Sequence, residues 1–208
     1  MKNPHWNPNK EARLLQRFLE FGAHLLPPDA ANWKALYYMQ HYGLPTRLLD
    51  WTANFAAAVY FAVRGGGADP CVWILNPYEL NELAGRGRTV VTIDQSSSYR
   101  DFIDQHPKPF GAMAISGDRT IARLRHQAGS FTLHGLEGVA LECFAPKALL
   151  RLDIPPAALA EAKDFLTLAG MNEFSIYQDL DGLARYLRVD ELGGLKCGQG
   201  GAWVPMSF

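Results

Sequence analysis

The spacing of apolar residues changes along the chain. Leu14, Phe18, Phe21 and Leu25 recur every three to four residues and predict a helix from about Lys10 to Leu26, stopped by Leu26-Pro27-Pro28. A second helix is expected from about Ala30 to Gln40, after Asp29 as its cap, with Trp33, Leu36, Tyr37 and Gln40 on one side. Gly43 and Pro45 then take the backbone out of helix, because Gly43 tolerates a positive φ and Pro45 pushes Leu44 into extended conformation. From Thr46 to Thr52 the pattern alternates as in a strand. Thr46, Leu48, Asp50 and Thr52 share one face; Arg47, Leu49 and Trp51 share the other. Either Thr52 or Asn54 caps a third helix, in which Ala56, Ala57 and Ala58 allow close approach while Val59, Phe61 and Ala62 give apolar cover.

Shorter apolar runs follow. Arg64-Gly65-Gly66-Gly67 reads as a connection into a strand, Cys71 to Leu75, ended by Asn76-Pro77. From Asn81 to Pro109 the pattern weakens to surface loop, with one strand candidate at Thr89 to Ile93. Further strands are expected at Ala112 to Ile115, Phe131 to His134, Val139 to Phe144 and Leu149 to Ile154. Pro155 and Pro156 open a helix to Leu168, with Gly170 at its C-terminus, and a last helix covers about Leu180 to Leu187. The predicted class is α+β: a single domain with a mixed or antiparallel sheet core and flanking helices over residues 1–192, then an irregular, glycine-rich tail over residues 193–208.

Composition narrows the function. A chain of 208 residues, 48% hydrophobic, is long enough for one sizeable core. A formal charge of -1 lowers the prior for a protein that grips nucleic acid mainly by its phosphates. Cys71, Cys143 and Cys197 are odd in number and widely spaced, which suggests neither a disulfide framework nor a zinc site, and hence a reducing cytoplasm. No apolar run has the roughly 20 residues that cross a bilayer, so no membrane association is expected.

Three groups of residues are candidates for chemistry. The first is Gln40, His41, Tyr42, Thr46, Arg47, Asp50, Thr52 and Asn54, gathered where one strand and two helices end. A helix N-terminus favours an anion such as phosphate, while His41 and Tyr42 can hydrogen-bond and stack on a sugar or a planar ring. A ligand with phosphate, ribose and an aromatic ring fits. Equally, Thr52 or Asn54 caps a helix, and Asp50 pairs with Arg47 or Arg64. The second group is Arg119, Arg123, Arg125, His126, Gln127, Gly129, Ser130, Thr132 and His134, a basic segment running into a short strand and as readily a solvated face. The third is Glu173, Asp179 and Asp181, a metal or proton-sharing set on one reading and a helix cap on the favoured one. No phosphate loop, nucleophile elbow, zinc-binding helix or dinucleotide fingerprint is present, and no metal is expected.

The run Met39-Gln40-His41-Tyr42-Gly43-Leu44-Pro45-Thr46-Arg47-Leu48-Leu49-Asp50-Trp51-Thr52, with Asn54 and Ala58-Val59-Tyr60-Phe61-Ala62 after it, resembles the core signature of the FRG domain family. Gln127 to Gly135 and Tyr177 to Ala184 resemble two later family stretches, so the FRG-like domain is expected over residues 1–192. By analogy of fold, the resemblance implies an ADP-ribosyltransferase-like enzyme using NAD as substrate, with a toxin or phage-defence role. His41, Tyr42 and Gln127 are then the catalytic candidates; Thr46, Arg47, Asp50, Trp51, Thr52, Asn54 and His134 hold NAD. In detail, His41 and Thr46 hold the nicotinamide ribose, Tyr42 or Trp51 stacks on nicotinamide, and Asp50, Thr52 and Asn54 face ribose or diphosphate. Gln127 stands where related enzymes often place a glutamate, so the carboxylate falls to Glu137, Glu142 or Asp50.

The family's Phe-Arg-Gly motif is absent, although Glu11, Leu14, Leu15 and Phe18 match the helix that follows it; Arg47 or Arg123 would serve in place of its arginine. The implied partners are a protein or nucleic-acid target and an antitoxin or regulatory protein. The alternative is a non-catalytic module that binds a nucleotide or a partner, or a neutralised toxin partner in which the motif is only architectural.

Overall fold

A computed structural model of the chain describes residues 8–30, 32–64, 69–93, 111–116, 129–135 and 139–192. The described part is α+β, with two small antiparallel sheets among helices. Helices α1 (Pro8–Gly22) and α2 (Asn32–His41) lead into strand β1 (Leu48–Thr52) and helix α3 (Phe55–Arg64). Then come β2 (Cys71–Leu75), α4 (Pro77–Leu83), β3 (Ala112–Ser116), β4 (Gly129–His134) and a one-turn helix α5 (Leu141–Phe144). Strand β5 (Leu149–Asp153) and helices α6 (Leu159–Leu168), α7 (Glu173–Tyr177) and α8 (Leu180–Leu192) complete it.

The first sheet has the order β1-β4-β3, with Leu48 opposite Leu133, Asp50 opposite Phe131 and Ala114 opposite Thr132. The second joins β2 to β5, with Val72 opposite Leu152. The predicted alternation along β1 decides how the first sheet is covered. Leu48 joins Phe131, Leu133, Met113 and Ile115 against Trp33, Leu36, Tyr37 and Met39 of α2. Tyr37 stacks on Phe131 with ring centroids 4.8 Å apart, a contact that contributes about 1 kcal/mol beyond burial. Trp51 sits with Ala112 and Ala114 against Leu80, Leu141 and Ala148. A third cluster packs α3, through Ala57, Val59 and Tyr60, on Val72, Ile154, Leu166 and Ile176. The alanines of α3 thus permit the close helix-on-sheet contact expected of them.

Several expectations change. The inward stripe of α1 is Glu11, Leu14, Leu15 and Phe18, while Phe21 in its last turn and Leu25, past its end at Gly22, are 68% and 77% exposed. Asn76-Pro77 does not merely end β2. Asn76 Oδ1 accepts from the backbone N–H groups of Tyr78 and Glu79, and Pro77 takes the first turn, so the pair starts α4, which runs to Leu83 and into the stretch from Asn81 where loop was expected. Thr89 to Ile93 contributes only an isolated parallel bridge, Val91 to Ile115. Val139 to Phe144 is not a strand: Leu141 and Phe144, three residues apart, both turn into one apolar cluster, which a helical turn allows and an alternating strand does not. Helix α7 was not expected, and α8 runs five residues past its predicted end.

Candidate functional site

Leaving α2, the chain bonds Leu44 N–H to the Met39 carbonyl, and Gly43 takes φ +77°. That turn brings the end of α2 alongside β1. Thr46 Oγ1 donates to Gln40 Oε1 at 2.6 Å, and Gln40 Nε2 donates to Asp50 Oδ2 at 2.6 Å. The Leu48 N–H donates to Thr46 Oγ1 at 3.1 Å and fixes the other end of the chain of bonds. With both ends of the Gln40 amide engaged, Asp50 is held in one orientation.

Beside this network lies a cavity of about 680 Å³, within the range of small-molecule sites. It opens along the outer edge of β1, between α2, α3, α5 and the second sheet. Gln40, His41, Asp50 and Thr52 of the first candidate group line it, together with Trp51, which the family resemblance brought in. Tyr37, Phe61 and Trp73 add aromatic surface, and Glu142 of α5 adds a second carboxylate. Among the described residues no lysine or arginine lines it.

The other candidate residues have different surroundings. Tyr42 is 67% exposed and meets His41 edge-on, with centroids 4.8 Å apart, but does not line the cavity. Thr46 acts on the cavity through Gln40. Arg47 faces away from it: its Nε donates to Glu11 Oε2 at 2.8 Å, with both side chains buried under α1. Between the two capping residues the structure chooses Asn54, whose Oδ1 accepts from the N–H groups of Ala56 and Ala57, while Thr52 Oγ1 accepts from the N–H of Asn54. The Asp50 carboxylate meets Gln40, while Arg47 pairs with Glu11 and Arg64 with Glu173.

His134 lies behind the cavity wall. Trp51 Nε1 donates to Thr132 Oγ1 at 3.1 Å, and Thr132 Oγ1 lies 2.9 Å from His134 Nε2. Burial lowers the His134 pKa, consistent with a neutral ring. Of the second candidate group, Gln127, Arg119, Arg123, Arg125 and His126 lie outside the described residues, as does Glu137.

In the third group Asp179 and Glu173 have structural partners. Asp179 Oδ1 accepts from the Gly182 N–H at 2.6 Å in the first turn of α8, and Glu173 pairs with Arg64 at 3.1 Å and Arg185 at 3.0 Å. Both guanidinium groups also lie 5.1 Å from the Tyr177 ring centroid, tying α3, α7 and α8 together. Among the described residues no group of three His, Cys, Asp or Glu is placed to hold a metal ion, and no helix is long and apolar enough to cross a membrane. Sequence reasoning named Glu142 only as one of three carboxylates, and missed Tyr37, Phe61 and Trp73 as cavity surface; their apolar runs signalled core alone.

Residues 1–69, the first third of the chain, match the model of the FRG domain family. A search of the curated proteins and one of the solved structures each found no match.

Proposed function

We propose that this chain, whose FRG domain at residues 1–69 contributes α2, β1 and α3 to the cavity, cleaves the bond between nicotinamide and ribose in NAD and transfers ADP-ribose to a protein or nucleic acid. The observation that carries this reading is the gathering of His41, Asp50, Trp51 and Thr52 around one cavity. The ADP-ribosyltransferase-like fold is an analogy of fold and enters the proposal only as such.

The chemistry asks little of the protein beyond positioning and charge. The C1–nitrogen bond breaks, its electron pair goes to the nicotinamide ring, and the ribose carbon becomes oxocarbenium-like. The nucleophile then bonds to C1 and releases its proton. A carboxylate beside C1 stabilises the developing positive charge, an effect worth about 3 to 4 kcal/mol of barrier where such a group is preorganised. Asp50 suits that role because Gln40 and Thr46 already fix its orientation. Trp51 provides a stacking surface, and Thr52 and His41 provide hydrogen-bonding groups for the sugar. The acceptor's identity would decide between toxin and phage-defence roles.

Purified protein incubated with NAD labelled in the adenylate and with cell lysate is expected to release nicotinamide and to label a macromolecule. Absence of both, with no NAD-induced thermal shift, sinks the proposal. A second reading, a non-catalytic nucleotide- or partner-binding module, is favoured by the engagement of Asp50 with Gln40, which also suits a pocket built only to hold a ligand. A thermal shift without turnover is its signature.

A further inference from the structure

The two carboxylates of the cavity differ in their surroundings. Asp50 is bound to Gln40 in a fixed network. Glu142 belongs to a one-turn helix, is solvent-exposed, and among the described residues has no hydrogen-bond or ion-pair partner. It lines the same cavity as Trp51 and Trp73, whose ring faces attract cations. Trp73 already has the Arg151 guanidinium 5.9 Å from its ring centroid, on the neighbouring strand. A carboxylate with no partner among the described residues and two indoles in one lining make a good site for a planar cation.

We infer that the cavity selects a nitrogen heterocycle bearing a fixed positive charge on its ring, and that Glu142 is the residue that sets this preference. The inference rests on the reading of the cavity as the nicotinamide end of an NAD site, and deepens it. NAD carries its positive charge on the nicotinamide ring and its negative charge on the diphosphate. The described lining complements the first, so it holds the nicotinamide-ribosyl half of the molecule. Cleavage neutralises the ring as it leaves, which removes its attraction to Glu142 and favours release of nicotinamide.

The test uses probes that cannot be cleaved. Binding of 1-methylnicotinamide, a permanent cation, is compared by calorimetry with binding of 1-methyl-1,4-dihydronicotinamide, its neutral reduced form of nearly the same shape. The full chain is expected to bind the cation at least roughly tenfold more tightly, with the preference shrinking as salt screens the charges. In Glu142→Gln the preference should fall to within about threefold. The exposure of Glu142 predicts an unchanged urea midpoint, which checks that the variant folds. Equal binding of the two probes, no binding of either, or a preference that survives in Glu142→Gln overturns the inference. NAD turnover is measured in parallel. Turnover without cation preference overturns this inference alone; preference lost in Glu142→Gln, but with no turnover, supports the cation site and removes the enzymatic reading.

Discussion

Glu11 holds Arg47 twice: Oε1 accepts from the Arg47 backbone N–H at 2.8 Å and Oε2 from the guanidinium Nε at 2.8 Å, with side chains only 1% and 4% exposed. The first turns of α1 are thereby fastened to the entry of β1, whose next residues form the cavity wall. A buried ion pair adds little over a well-packed apolar pair, yet removing one partner strands a charge in the interior, at a cost of about 3 to 5 kcal/mol. Glu11→Ala is therefore expected to lower the unfolding free energy by roughly that amount in urea titration. A loss below about 1 kcal/mol would mean that the pair does not tie α1 to the sheet.

Asp50→Asn separates charge from geometry. The amide oxygen still accepts from Gln40, so the melting temperature should stay within a few degrees. The charge beside the reacting carbon is lost, and NAD cleavage should fall by about a hundredfold to a thousandfold, as for loss of one preorganised stabilising group. Rates within threefold of the parent would remove Asp50 from the chemistry.

Asn54 was a ligand-binding candidate in the sequence and is a helix cap in the structure. Asn54→Ala is expected to cost about 1 kcal/mol of stability. Asn54→Ser, which restores a capping oxygen, should recover most of it. NAD affinity should be unaffected in both variants, read by calorimetry at a temperature where both are folded.

His134 gives the stability a pH dependence of known sign. Its folded pKa lies below the ordinary value of 6.5, so the unfolded chain takes up the proton first as pH falls. The contribution of the buried neutral ring is intact above pH 6.5 and is lost progressively below it, towards the folded pKa. Urea midpoints measured between pH 7.5 and 5.5 should fall more steeply for the parent than for His134→Gln. Equal slopes would show that the ring takes its proton as readily in the folded chain.

These residues show what was legible in the sequence. The helices α2 and α3, the strand β1 and its two faces followed from periodicity, because each repeats one environment over several turns or pleats. So did the gathering of Gln40, His41, Asp50 and Thr52, since the turn at Gly43 leaves few alternatives. What a side chain faces was less accessible. Arg47 reads as a cation for a ligand anion or for Asp50 until Glu11, 36 residues earlier, is placed beside it. Asn54 and Thr52 offer the same capping oxygen, and only the backbone path chooses between them. The α5 turn fits strand alternation because Val139, Leu141 and Cys143 are apolar; the contacts of Leu141 and Phe144 override that pattern. Glu142 entered the cavity as a result of this turn, beyond what local spacing encodes.

One further side chain in a stretch read as surface loop has a different consequence. Asn81 is fully buried: its Nδ2 donates to the carbonyls of Thr89 and Ala114, and its Oδ1 accepts from the Ala114 N–H at 2.7 Å. Among the described residues β3 lies at an edge of its sheet, and the amide supplies the donor and acceptor that a neighbouring strand would. Next to it, Val91 takes the N–H of Ser116. At Ala114 and Ser116 the β3 edge is thus occupied by the chain's own groups, which leaves less of it for another copy to pair with. Asn81→Leu would reopen it, and its effect should be read less in activity than in light scattering: turbidity that rises with protein concentration and with time at temperatures where the parent stays clear.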